Sequence, residues 1–229
     1  MGIYGFIIQN KEVFKLFYAL IVVSICVIIV FKTHKLFKLS SYNGLRYFRN
    51  SFFFFGLGFA SRYFLKFVLY PLGYTSYNYL PLLFFEFFVI MAGFFLLYSL
   101  IWKKLESYQK SYKSSLFNPG LFIFYILALI IVILDYSWDM ANLMYFSQIA
   151  VFFIASIISL VNSISQKKQK HHFQKFYFLA MFLVFIAWIL NTLASSYFQN
   201  NQIVWINIYI LNMVFFLIFL YGVIKVTKG

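Results

Sequence analysis

Val13-Phe14-Lys15-Leu16-Phe17-Tyr18-Ala19-Leu20-Ile21-Val22-Val23-Ser24-Ile25-Cys26-Val27-Ile28-Ile29-Val30-Phe31, closed by Lys32-Thr33-His34-Lys35, decides the architecture. After Lys15 the run carries no charge until Lys32 and then stops in a basic cluster. About 20 predominantly apolar residues suffice to cross the roughly 30 Å hydrocarbon core of a bilayer as a helix. No basic stretch precedes a short apolar core, and no small-x-small cleavage site follows it. The expectation is therefore a retained span with a stop-transfer end, and not a cleaved leader.

The rest of the chain repeats this design. Of 229 residues, 64% are hydrophobic, 25% aromatic and only 10% charged, against about a quarter charged in a soluble domain. Charged side chains normally cover a water-facing surface, so most of this surface meets lipid. In lipid every backbone N–H and C=O needs an internal partner, which leaves helices or a closed barrel. Barrel strands alternate over about ten residues, whereas the apolar runs here are continuous and about twice as long. The reading is an all-α membrane protein, a seven-transmembrane-helix bundle forming one domain over 1–229. Its spans are expected at about 13–31, 47–69, 80–102, 121–138, 145–164, 176–198 and 203–224.

Charge orients the bundle. The net charge is +14, from 19 Lys and Arg against 5 Asp and Glu. Connecting segments on one side carry Lys32, Lys35, Lys38, Arg46 and Arg49; Lys103, Lys104, Lys110 and Lys113; Lys167, Lys168, Lys170 and Lys175; and Lys225 and Lys228. The other side has Lys11 and Lys15 alone. Positive charge concentrates in cytoplasmic loops, so the N-terminus is expected outside and the C-terminus in the cytoplasm, in the cell membrane. Such short basic loops suit anionic lipids at the cytoplasmic face and a cytoplasmic protein partner, and not nucleic acid. Cys26, the single cysteine, has no second thiol in the chain to pair with.

Four charges fall within spans, where each is a functional hypothesis by default: Arg62, Lys66, Glu86 and Asp135. At about 1.5 Å rise per residue, all four lie in the outer leaflet. The expectation is an Arg62–Glu86 ion pair with Asp135 and Lys66 nearby, forming an outward-facing pocket for a small polar or anionic ligand. The competing reading is a salt bridge that locks helices together, with Lys66 reaching to the headgroups. Gln148, Asn191 and Asn207 sit at similar depth and are candidates to complete the pocket. Gln148, Ala155, Ser159 and Asn162, and likewise Ala180, Ala187, Asn191 and Ser195, form small and polar stripes of the kind that join membrane helices.

No H-E-x-x-H, G-x-S-x-G or phosphate-cradling glycine loop occurs, so neither an enzyme, a cofactor nor a metal site is expected. His34, His171 and His172 read as members of basic loops. In topology the chain resembles the microbial rhodopsins, but span seven lacks the mid-span lysine that would hold retinal. Ala60-Ser61-Arg62-Tyr63-Phe64 and Ala194-Ser195-Ser196-Tyr197-Phe198 end spans two and six and suggest a 3+1+3 parallel repeat. That organisation resembles the PQ-loop exporters, although no Pro-Gln pair is present. The leading functional expectation is a receptor- or sensor-like bundle. A small transporter using the same charges and a structural or accessory subunit are the alternatives.

In a Cys26→Ala background, a cysteine at Lys113 should resist an impermeant thiol reagent added outside intact cells, and one at Asn200 should react. The reverse pattern would invert the assigned orientation.

Overall fold

The computed structural model describes residues 11–40, 42–65, 68, 79–105, 119–138, 142–165, 171–198 and 201–228. They form seven α-helices: α1 Lys11–Ser40, α2 Asn43–Ala60, α3 Tyr79–Leu105, α4 Pro119–Trp138, α5 Asn142–Ser165, α6 His171–Tyr197 and α7 Gln202–Lys228. A π-helical turn, Ser61–Leu65, extends α2. All but α2 are long and apolar enough to cross a membrane, so the chain is a multi-pass membrane protein.

The helices outrun the spans read from hydropathy. The basic stretch after Phe31 was expected to be a connecting segment, yet α1 continues as helix to Ser40. Its 30 residues are about 45 Å long at 1.5 Å per residue. Membrane thickness limits the apolar run, while Lys, Leu and Phe are compatible with continued helix. The extension brings His34 back to α2, where its Nδ1 lies 2.9 Å from the Arg49 guanidinium.

Six helices close a ring in the order α1, α2, α3, α5, α6, α7, with α7 returning to α1. Helix α4 packs outside it, on α3 and α5. Lipid does not favour apolar burial the way water does, so membrane helices associate through close packing and small residues. Gly58 of α2 faces α3, where an added Cβ would come 3.2 Å from a Val89 methyl. The Ser51 hydroxyl donates to the Ala92 carbonyl at 2.8 Å across the same interface. Gly56 meets Cys26 of α1, with 3.3 Å left for a Cβ.

Aromatic rings fill the interior beside α2. Phe52 is fully buried and meets Phe216 and Phe219 of α7 edge-on, at centroid separations of 6.3 and 5.1 Å. Phe48 packs on Tyr177 of α6 and on Phe219. These are the offset and edge-to-face separations that rings favour. Together they make an aromatic layer across the bundle, in the half nearer the basic ends of the helices. The outward face of α4 is largely apolar, with Ile123, Ile126, Leu129, Ile130 and Ile133 exposed along it.

Phe52→Ala should cost roughly 3 kcal/mol of stability, the scale of a vacated aromatic core position. Phe53→Ala, at a neighbour 47% exposed, should stay within about 0.5 kcal/mol. Thermal melts of both variants in the same detergent check the contrast.

Candidate functional site

Helix α2 changes character at Ser61, whose hydroxyl donates to the Gly58 carbonyl at 2.8 Å as the backbone widens into the π turn. A π turn adds one residue per winding, and such turns recur at functional sites because they re-aim the side chains after them. Here the turn carries Arg62 deep into the bundle, and the surface it retains faces a cavity. Its guanidinium carbon lies 4.4 Å from the Phe85 ring centroid and 5.8 Å from that of Tyr63, within cation–π range.

The cavity sits at the centre of the ring, on the far side of the aromatic layer from the basic ends. Every ring helix contributes to it: Tyr18 from α1; Phe55, Phe59, Arg62 and Tyr63 from α2 and its π turn; Phe85 and Val89 from α3; Met144 and Tyr145 from α5; Trp188 and Asn191 from α6; Trp205, Tyr209, Asn212 and Phe215 from α7. The cavity itself is small, about 50 Å³; the figure reaches about 580 Å³ only when the space between its lining atoms and the solvent at its mouth are counted. Arg62 is the one charged side chain among the described residues that line it. The hydroxyl-bearing neighbours of Arg62 are Tyr63, Tyr145, Tyr209 and Tyr18. Asn191 bridges α6 to α7: its amide donates to the Ala187 carbonyl at 2.7 Å and to Asn212 Oδ1 at 3.3 Å. The Tyr18 hydroxyl is buried without a hydrogen-bond partner, although Asn212 is a polar neighbour.

The other expected residues divide. Glu86 is buried, 2% exposed, and has Asp135 and Arg62 as charged neighbours, so the clustering of these charges is present. The expected Arg62–Glu86 pair is not formed: among the described residues no contact within 4.0 Å joins them. The reason is local. Consecutive helical residues point about 100° apart, so a guanidinium stacked on Phe85 is turned away from the carboxylate of the next residue.

Asp135, 3% exposed, ends in a helix cap. Its two oxygens accept from the backbone N–H groups of Leu143 at 2.9 Å and Met144 at 2.7 Å. These belong to the first turn of α5, whose donors have no partner within the helix and whose positive dipole end favours an anion.

Gln148 is fully buried between α5 and α3, and both its amide atoms lack partners among the described residues. It occupies the space beside Gly93, where a Cβ would fall 2.7 Å from its Oε1. Asn207 is exposed and donates to the Ile203 carbonyl at 3.0 Å, away from the cavity. Lys66 lies outside the described residues. Among those described, no group of three His, Cys, Asp or Glu could hold a metal ion.

Sequence reasoning passed over Tyr18, Tyr63, Tyr145, Trp188, Tyr209 and Asn212. In a chain that is 25% aromatic, an uncharged ring within an apolar run does not stand out from its neighbours, so the tyrosines carried no signal of direction. Trp188, in the middle of span six, was the available signal. No family model, curated protein or solved structure matches the chain.

Asp135→Ala should lose about 1–2 kcal/mol of stability through the missing cap. Asp135→Asn, which retains an acceptor oxygen, should recover most of it. Equal loss in both variants, read from detergent melts, would assign the role of Asp135 to its charge.

Proposed function

We propose that this protein is a receptor- or sensor-like seven-helix bundle whose outward-facing cavity binds a small polar or anionic ligand. In this reading α2 with its π turn is the seventh span, the N-terminus is outside and the basic ends face the cytoplasm of a cell. The observation that carries the reading is the cavity itself. Six helices meet at one charged residue, Arg62, and the packed rings of Phe48, Phe52, Phe216 and Phe219 lie between the cavity and the basic helix ends without lining it. A blind cavity suits ligand sensing, in which occupancy shifts the packing of helices that reach the other face. The basic helix ends then offer a surface for anionic lipid or for a cytoplasmic partner.

A transporter would use the same cavity but open it to each side in turn. The grouping of α1–α3 and α5–α7 with α4 outside supports a 3+1+3 organisation, which is the observation in favour of that second reading. A structural or accessory subunit would need no accessible cavity at all.

Cysteines at Tyr209 and Asn212, each in the Cys26→Ala background, separate the three. Sensing predicts reaction with impermeant thiol reagent from outside alone. Reaction from both sides would select transport, and reaction from neither would select the structural role. A cysteine at Phe219, within the layer, should stay protected from both sides.

A further inference from the structure

We propose that the ligand is a small monocarboxylate with an apolar body, its carboxylate accepting hydrogen bonds from Arg62 and Tyr18. This rests on the cavity being a binding site and adds the chemical class that fills it.

Two donors in the same cavity lack an acceptor. A guanidinium carries five N–H donors and no acceptor, and among the described residues none of those donors has a hydrogen-bond or ion-pair partner. One face of the group lies on Phe85, which leaves the in-plane N–H edges as its unused chemistry. Glu86, the nearest described acid, is beyond contact distance and does not line the cavity. The Tyr18 hydroxyl is the second orphan. Tyr18 is 3% exposed and lines the cavity, and among the described residues its hydroxyl has no partner within 3.5 Å, with the Asn212 side chain as its polar neighbour. A buried polar group without a partner costs about 1–3 kcal/mol; the Tyr18 hydroxyl is such a group, and the half-buried Arg62 beside it presents further unused donors, so together they point to a missing group that accepts.

A carboxylate is acceptor-only and matches the planar fork of an arginine with two parallel N–H···O bonds. Charge decides against phosphate. One guanidinium balances a monoanion, whereas a dianion would remain undercompensated where little water screens it. Phe55, Phe59, Val89, Met144 and Phe215 give the cavity an apolar wall that suits an apolar body, the tyrosines and asparagines beside them add uncharged polar groups, and no second cation among the described residues lines the cavity to meet a second acid. Such a carboxylate could reach the cavity from water or from the bilayer, and two probes distinguish these sources.

The test uses the full chain in phosphatidylcholine nanodiscs, read by the emission of Trp188 and Trp205 and by thermal shift. Sodium benzoate serves as the aqueous probe and sodium decanoate as the bilayer-partitioned one, with benzyl alcohol, decanol and inorganic phosphate as comparisons. The expected result is a saturable response to at least one carboxylate and none to phosphate. Saturation by benzoate identifies access from water, and saturation by decanoate alone identifies access from lipid. Arg62→Met and Tyr18→Phe should each weaken carboxylate binding by about tenfold or more, following the worth of a hydrogen bond to a charged group. Arg62→Lys, which keeps the charge without the fork, should fall between wild type and Arg62→Met, and it stands in should Arg62→Met fail to fold. Equal affinity for an alcohol and its carboxylate would overturn the carboxylate assignment while leaving the cavity as a binding site. No saturable response to either carboxylate would also overturn it. Thiol labelling at Asn212→Cys then decides whether the cavity reading falls with it.

Discussion

A helix that carries Arg46, Arg49, Asn50 and Arg62 persists in a bilayer only where protein, headgroup or water meets those groups, and the bundle is built around that requirement for α2. Half its residues are buried, and it is flanked by α1 and α3 while its phenylalanines reach across to α7. Arg49 is met at one end by His34 and Asn50, and Arg62 at the other by the ring of Phe85 and four tyrosines. Between them lie the apolar rings and the glycines, Gly56 and Gly58, that let α1 and α3 approach. One helix therefore sets the polar chemistry at both ends of the bundle and the aromatic layer between.

The contrast among the buried acids shows how little residue type alone says about role. Asp135 and Glu86 lie at similar depth and are electrostatic neighbours. Asp135 is spent on the first turn of α5, where two backbone donors would otherwise be orphaned. Glu86 accepts no such bond among the described residues and stays close enough to Arg62 to temper its field. A carboxylate beside a helix start serves the fold; one behind an aromatic ring shapes the potential inside a cavity.

The helical, multi-pass architecture was legible because hydrocarbon thickness imposes a length that any apolar run displays. Six of the expected spans coincide with helices long and apolar enough to cross. The continuation of α1 past Phe31 was not legible, since hydropathy registers where lipid ends and not where helix ends. Arg62 stood out as a charge in an apolar run, but its direction did not. That direction depends on the π turn at Ser61–Leu65, a choice of backbone hydrogen bonds that composition does not display. The same blindness to direction exchanged Asn207 for Asn212: their five-residue spacing signalled different faces without saying which faced inward. Asp135 could not be recognised as a cap, because its partners Leu143 and Met144 reach it only once α4 turns back into α5.

The placement of α2 between neighbours distant in the chain has a consequence for biosynthesis. Proteins emerge N-terminus first, so α2 leaves the ribosome well before α7, which supplies Phe216 and Phe219 to its inner face. Throughout that interval the rings of Phe48 and Phe52 lack the α7 rings that cover them. The ring closes only with the last helix made, since α7 is the element that joins α6 back to α1.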